Sequence, residues 1–348
     1  MTETSQPFAQ TNRVFTEADL APGTVGPTAA FQPFDPEAGT TVIQPQGEGQ
    51  GWWVGAPSVF WDGTAYYLAF RTRRPQPERG GLFQVARSDD GERFEVTASI
   101  RKEDLGTSSI ERGALLQTGD GTWRLYLSYV DPQDGRWRID LIEAASPDAF
   151  DPAARVPILT AADIGAEGIK DPWVCRVGGT WHMIVSYAPT PTGAISTDQM
   201  HGTRDIYNTG TSKSLTGLAT STDGLTWAWQ GPMLEPGDDG WDRYATRLNT
   251  VYRHGGVFVG LYDGAGDVSE NYEERCGLAV SGDLRTWTRL STDGPAAGPN
   301  GGPGSVRYAE AVQAAGWTRF YYEYTRDDGS HELRTVLVPH AGERQGNR

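Results

Sequence analysis

The sequence has 348 residues and a formal net charge of -15, which argues against a nucleic-acid or anionic-membrane partner, because both need a positive field to drive association. Its 12 Trp, 14 Tyr and 44 Gly, set in short runs of Val, Tyr, Phe and Trp bounded by Gly and Asp, exclude a mainly helical fold and point to β structure. No stretch is apolar for long enough to span a bilayer, and Met1 to Ala30 has no basic start followed by an apolar run, so a soluble, cytoplasmic protein is expected.

In chain order, residues 1–38 are rich in Pro, Gly, Thr and Ala without period and read as an extended arm over the surface. A single domain is expected over 39–340, then a polar tail, 341–348. Within the domain a hairpin turn recurs: Trp61-Asp62-Gly63, Gly119-Asp120-Gly121, Val177-Gly178-Gly179, His254-Gly255-Gly256 and Ala314-Ala315-Gly316. An alternating strand follows each, namely Ala65 to Arg71, Trp123 to Tyr129, Trp181 to Tyr187, Val257 to Tyr262 and Arg319 to Tyr324. Recurrence roughly every 60 residues marks a stacked supersecondary unit.

Third strands carry a Ser/Asp/Gly turn signature, as in Val85 to Gly91, Gly217 to Gly224 and Gly277 to Asp283. Fourth strands, such as Val156 to Leu159 and Pro232 to Glu235, follow in most units. Four antiparallel strands repeated five times predict an all-β fold, a five-bladed β-propeller. The last unit, ending in Leu333 to Val338, lacks a fourth strand, while Thr41-Val42-Ile43-Gln44-Pro45 stands spare ahead of the first. Pairing the two closes the ring and removes a free sheet edge.

The first strands of a propeller begin near one mouth of its channel. Counting back from the turns aligns Gly55-Ala56-Pro57, Glu111-Arg112-Gly113, Lys170-Asp171-Pro172, Arg247-Leu248-Asn249 and Tyr308-Ala309-Glu310. Glu111, Arg112, Lys170, Asp171, Arg247, Tyr308 and Glu310 on small-residue walls describe a polar pocket; the competing reading is an ion-pair ring that seals the channel. The longest loop, Ala188 to Ser214, carries His201-Gly202-Thr203-Arg204-Asp205-Ile206-Tyr207-Asn208 and reads as a folded lid, with His201 and Arg204 as substrate-binding candidates. Trp52, Trp53 and, before the fourth first strand, Trp241 with Asp242 offer aromatic faces beside polar groups, which suit sugar rings. At least one of Trp52 and Trp53 is expected instead to pack between blades. Cys175 and Cys276 read as buried free thiols, and nothing in the spacing calls for a metal or cofactor.

On this repeat, over about residues 40 to 338, and on Gly168-Ile169-Lys170-Asp171-Pro172, the chain resembles the five-bladed propeller glycosidases of glycoside hydrolase families 43, 32, 68, 117 and 130. Where family 43 enzymes usually place a base Asp before Pro in the first blade, this chain has Ala56-Pro57. The resemblance implies a glycoside hydrolase acting on a small carbohydrate through two or three carboxylates. Asp171 is the leading candidate, with Glu111 and Glu310 as partners and Asp242 behind them. Glu310, beside Tyr308 and small residues, is the expected acid. The cations Arg112, Lys170, Arg247, Arg71, Arg73, Arg74 and Arg307 leave open a phosphorylase using phosphate, or an acidic sugar substrate. A binding propeller without catalysis is the reading from another class.

Overall fold

The computed structural model describes residues 13–20, 34–298 and 304–340. Strands dominate it, in groups of four antiparallel neighbours. Trp53–Trp61, Tyr66–Arg74, Arg79–Ser88 and Glu95–Arg101 form the first group, and Ile110–Gln117, Trp123–Val130, Trp137–Ala144 and Val156–Thr160 the second. The third is Ala166–Val177, Thr180–Pro189, Leu215–Ser221 and Ala228–Leu234; the fourth is Ala245–His254, Val257–Ala265, Arg275–Ser281 and Trp287–Arg289. Val306–Ala314, Trp317–Thr325 and His331–Pro339 make the last, and Thr40–Ile43 pairs with its outer strand, with Thr41 opposite Arg334. One parallel pair, His331 with Trp53, joins the last group to the first.

Local chemistry sets the turns. In the first hairpin Asp62 Oδ1 accepts the amides of Thr64 and Ala65, both at 2.8 Å, while Gly63 takes φ +98°, a region closed to most side chains. After three of the third strands one device repeats: Ser88, Ser221 and Ser281 accept the amides of Asp90, Asp223 and Asp283, and each Asp then caps the following turn.

Apolar faces meet between neighbouring groups. Phe83, Leu115, Leu125 and Val185 share one core, Trp173, Leu218, Leu248 and Phe258 another, and Leu261, Leu278, Ala311 and Phe320 a third. A further core joins the last group to the first through Val59, Leu68, Val312 and Tyr321. The fold is all-β and propeller-like. No helix among the described residues is long and apolar enough to cross a membrane. Cys175 and Cys276 are buried and free.

The N-terminal arm does more than run over the surface. Val14–Phe15 adds a parallel strand to Arg176–Val177, Phe15 meets Phe258 edge to face at 5.0 Å, and Arg253 donates to the Asp19 carbonyl at 2.8 Å. Arg13 is buried and reaches Glu310 at 2.6 Å, the Val174 carbonyl at 3.0 Å and Ser58 Oγ at 3.3 Å. Pro36–Ala38 forms a short helical turn whose Pro36 carbonyl accepts the Tyr322 hydroxyl at 2.7 Å; residues 1–12 and 21–33 of the expected arm, and the tail 341–348, lie outside the described residues.

Candidate active site

Each first strand is interrupted near its start. In four groups a β-bulge sets two residues against one: Ala56-Pro57, Glu111-Arg112, Asp171-Pro172 and Tyr308-Ala309; in the fourth group Asn249 is the extra residue. Ala56, Asp171 and Tyr308 have φ of +51°, +57° and +51°. Such backbone is costly for a residue with a Cβ and collects where side chains must be re-aimed. The aligned residues are therefore Ala56, Glu111, Asp171 and Tyr308. Of the aligned triplet Tyr308-Ala309-Glu310, Tyr308 sits on the bulge and Glu310 falls two residues further along the strand, in regular pairing with Tyr321.

Around the bulges runs a buried chain of alternating charge. Arg71 Nε and Arg73 Nη1 donate to the two oxygens of Glu111, the second at 3.2 Å. Arg71 Nη2 also reaches Glu323 at 2.9 Å, Arg307 joins Glu323 and Glu274 at 2.7 Å each, and Arg247 meets Glu274 at 2.6 Å. Burial by itself would raise Glu111, but Arg71, Lys170 and Arg73 overcome it and hold its carboxyl at about 2. Arg307 and Arg247 hold Glu274 at about 2 against the same burial. These sites stay ionised.

Asp171 is different. Its amide donates to Ser128 Oγ at 2.9 Å, and Oδ2 lies 3.5 Å from both Lys170 Nζ and the Tyr308 hydroxyl. Oδ1 is buried with no hydrogen-bond partner. Burial raises its pKa; Lys170, Arg247 and Arg112 oppose this and Glu111 adds to it, and the net direction is upward. One carboxyl group pushed toward its neutral form beside one held ionised is the electrostatic layout of acid catalysis. Lys170 is boxed between the Trp137 and Tyr207 rings, 5.0 and 4.8 Å from their centroids. Arg71 Nη1 and Arg73 Nε are buried N–H groups without a partner, an unusual state for a guanidinium.

The long loop closes over this group. Its helix Thr197–His201 and the turn Ile206–Asn208 bring Asp205 and Tyr207 inward. Asp205 accepts from Trp137 Nε1 at 3.1 Å, Arg79 Nη2 at 3.2 Å and the Tyr272 hydroxyl at 3.0 Å, so one carboxylate ties the loop to the first, second and fourth groups. His201, by contrast, pairs through Nε2 with Glu167 at 2.8 Å, and Glu167 also takes Arg136 at 3.0 Å. Arg204 is exposed, and its carbonyl receives Arg79 at 3.4 Å.

Other expected site residues go elsewhere. Glu310 is gripped by Arg13 at 2.6 Å and Arg112 at 2.5 Å; Arg112 also donates to the carbonyls of Asn249 at 2.8 Å and Pro57 at 3.1 Å. Glu310 thus sits in a buried ion-pair cluster, its pKa pushed up by burial against Arg13 and Arg112. Asp242 accepts from Tyr262 at 2.7 Å and Arg289 at 2.8 Å within the fourth group, away from the contacts around Asp171 and Glu111. Trp53 is buried, stacked on His331 at 4.7 Å with Arg73 at 5.1 Å from its ring, whereas Trp52 is half-buried with Arg74 at 5.7 Å. Trp53 is the packing tryptophan of the pair. Sequence reasoning missed Glu323, Glu274, Asp263, Asp205 and Tyr272 as members of the network. For Glu323 and Asp263 a signal existed: each is a lone acid inside an otherwise apolar strand run, Phe320-Tyr321-Tyr322-Glu323 and Leu261-Tyr262-Asp263.

The propeller-like fold has clear structural counterparts. A glycoside hydrolase superposes at a TM-score of 0.65 with 15% identity, over 91% of this chain and 94% of that one. The β-1,2-mannobiose phosphorylase from Listeria innocua, solved with β-1,2-mannobiose, gives a TM-score of 0.58 at 14% identity, covering 87% and 95%. A thermostable family-43 glycoside hydrolase gives 0.55 at 16% identity, covering 88% and 98%. At these identities the likeness is one of fold. No family model matches the sequence, and no curated protein matches it.

Proposed function

We propose that the chain is a five-bladed β-propeller, its ring closed by Thr40–Ile43, that cleaves a glycosidic bond in a small carbohydrate with Asp171 as general acid. The carrying observation is the Asp171 carboxyl, raised by burial and with Oδ1 unpartnered, beside Glu111 held ionised. Asp171 passes its proton to the leaving oxygen as the bond breaks, and negative Glu111 favours the positive charge that develops on the sugar. The nucleophile in this reading is water, which forms the new C–O bond and releases its proton to solvent, while the Asp171 carboxylate takes a proton back from solvent to restore the acid. The fold shared with glycoside hydrolases and a phosphorylase supports the class of chemistry without fixing the sugar.

Three observations favour a second reading, phosphorolysis. Glu111 at about 2 is a weak proton acceptor, Ala56 stands where the first group could have offered a carboxylate, and Arg71 Nη1 with Arg73 Nε are free to meet an anion. Phosphate needs no base. The test is turnover of aryl glycosides and short oligosaccharides, with and without phosphate, by the wild type and by Asp171→Asn. Loss of about a thousandfold in folded Asp171→Asn supports the acid role, and phosphate dependence selects the second reading. Unchanged turnover in Asp171→Asn refutes the acid role of Asp171, whereas sugar binding without turnover on any substrate refutes the enzyme reading and leaves a binding propeller.

A further inference from the structure

The Tyr308 side chain is aimed by an expensive arrangement. Its backbone sits at φ +51° on the fifth bulge, and its amide is clamped by both oxygens of buried Asp263, at 3.0 and 3.1 Å. Arg307 and Arg71 lie 5.2 and 5.7 Å from its ring centroid. All of this delivers the hydroxyl to Asp171 Oδ2 at 3.5 Å, the outer limit of a hydrogen bond. Oδ2 is thus the oxygen with donors, Tyr308 and Lys170, while Oδ1 is the oxygen without them.

We infer that Tyr308 is a positioning residue for the acid: its hydroxyl donates to Asp171 Oδ2, keeps Oδ1 turned to the reacting atom, and tightens as the carboxyl becomes a carboxylate. The inference rests on the acid role proposed for Asp171. A contact that is loose in the resting state and short once charge has formed lowers the barrier, since it is stronger in the transition state than in the ground state. The phenol keeps its own proton throughout; burial first, then Asp171 and Glu111, push its pKa well above the ordinary value, against Arg307 and Arg247. The charged and titratable groups around Asp171 are Lys170, Glu111, Arg247, Arg112, Tyr207 and Tyr308.

Tyr308→Phe keeps the ring and its cation contacts and removes only the donor. The infrared carbonyl band of protonated Asp171, assigned by its loss in Asp171→Asn, reads the acid directly and without substrate. In Tyr308→Phe its titration midpoint is expected to rise by about one pH unit, the worth of a donor to the charged form. With a turned-over glycoside, kcat falls about tenfold at little change in KM, and the basic limb of the rate profile moves up with the midpoint. A purely structural tyrosine would lower stability and leave midpoint and limb where they were, which overturns the inference. Should no glycoside be turned over, the infrared midpoint still decides the Tyr308 to Asp171 contact, and only the catalytic reading fails.

Discussion

Replacing Arg13 by Ala removes one of the two guanidinium groups on Glu310 and leaves that carboxylate, with no exposure of its side chain, on Arg112 alone. Burial already raises the Glu310 pKa against Arg13 and Arg112, and burial lowers that of Arg13; neither ion is comfortable without the other. Breaking a buried pair costs about 3 kcal/mol, at the lower end here because Arg112 remains. At about 2.1 cal/mol/K per residue, a domain of roughly 300 residues then melts about 5 °C lower. The assay is a double-mutant cycle in thermal and urea unfolding with Arg13→Ala, Glu310→Gln and the double variant. The single losses are expected to exceed the double loss by about 2 kcal/mol, because the double variant carries no unpaired partner across this contact. Arg13→Lys falls between, since one ammonium cannot serve Glu310, Ser58 and Val174 in the same fork geometry. Additive losses, or an Arg13→Ala melt within a degree of the wild type, would refute the view that the arm clasps the base of the fold.

Asp263 is raised by burial and by Glu274 to about 7, so the folded state binds its proton more tightly than the unfolded chain does. Its ionisation therefore costs stability as pH climbs from about 4 to 7, by no more than about 4 kcal/mol. Asp263→Asn should gain melting temperature relative to the wild type on going from pH 5 to pH 8; a difference flat in pH contradicts the raised value. Asp205→Ala cuts the loop 190–214 from Arg79, Trp137 and Tyr272 at once. Limited proteolysis within that loop should accelerate about tenfold or more while the strands stay resistant, and equal rates would show that other contacts hold the lid.

The repeat was legible because each hairpin needs its own turn chemistry, so Asp62-Gly63 and the Ser-x-Asp turns announce themselves locally. The pairing of Thr41 with Arg334 was legible too, since one unit lacked a strand and another had one to spare. Asp171 stood out through Lys170-Asp171-Pro172. Glu111 and Tyr308 stood in the same row, but which residue of each triplet sits on the bulge was not legible, because a bulge leaves no mark in composition: Tyr308, and not Glu310, meets Asp171.

By itself the sequence determined the alternation, the turns and the supply of buried charge. Which charge meets which was decided only by the tertiary structure. Glu111 stays ionised because Arg71 and Arg73 from the neighbouring group reach it, Asp171 is pushed toward its neutral form because burial outweighs Lys170, and Glu310 is paired with an arginine nearly 300 residues earlier. Electrostatic energies depend on separation and local dielectric, and both are set by contacts between residues remote in the chain.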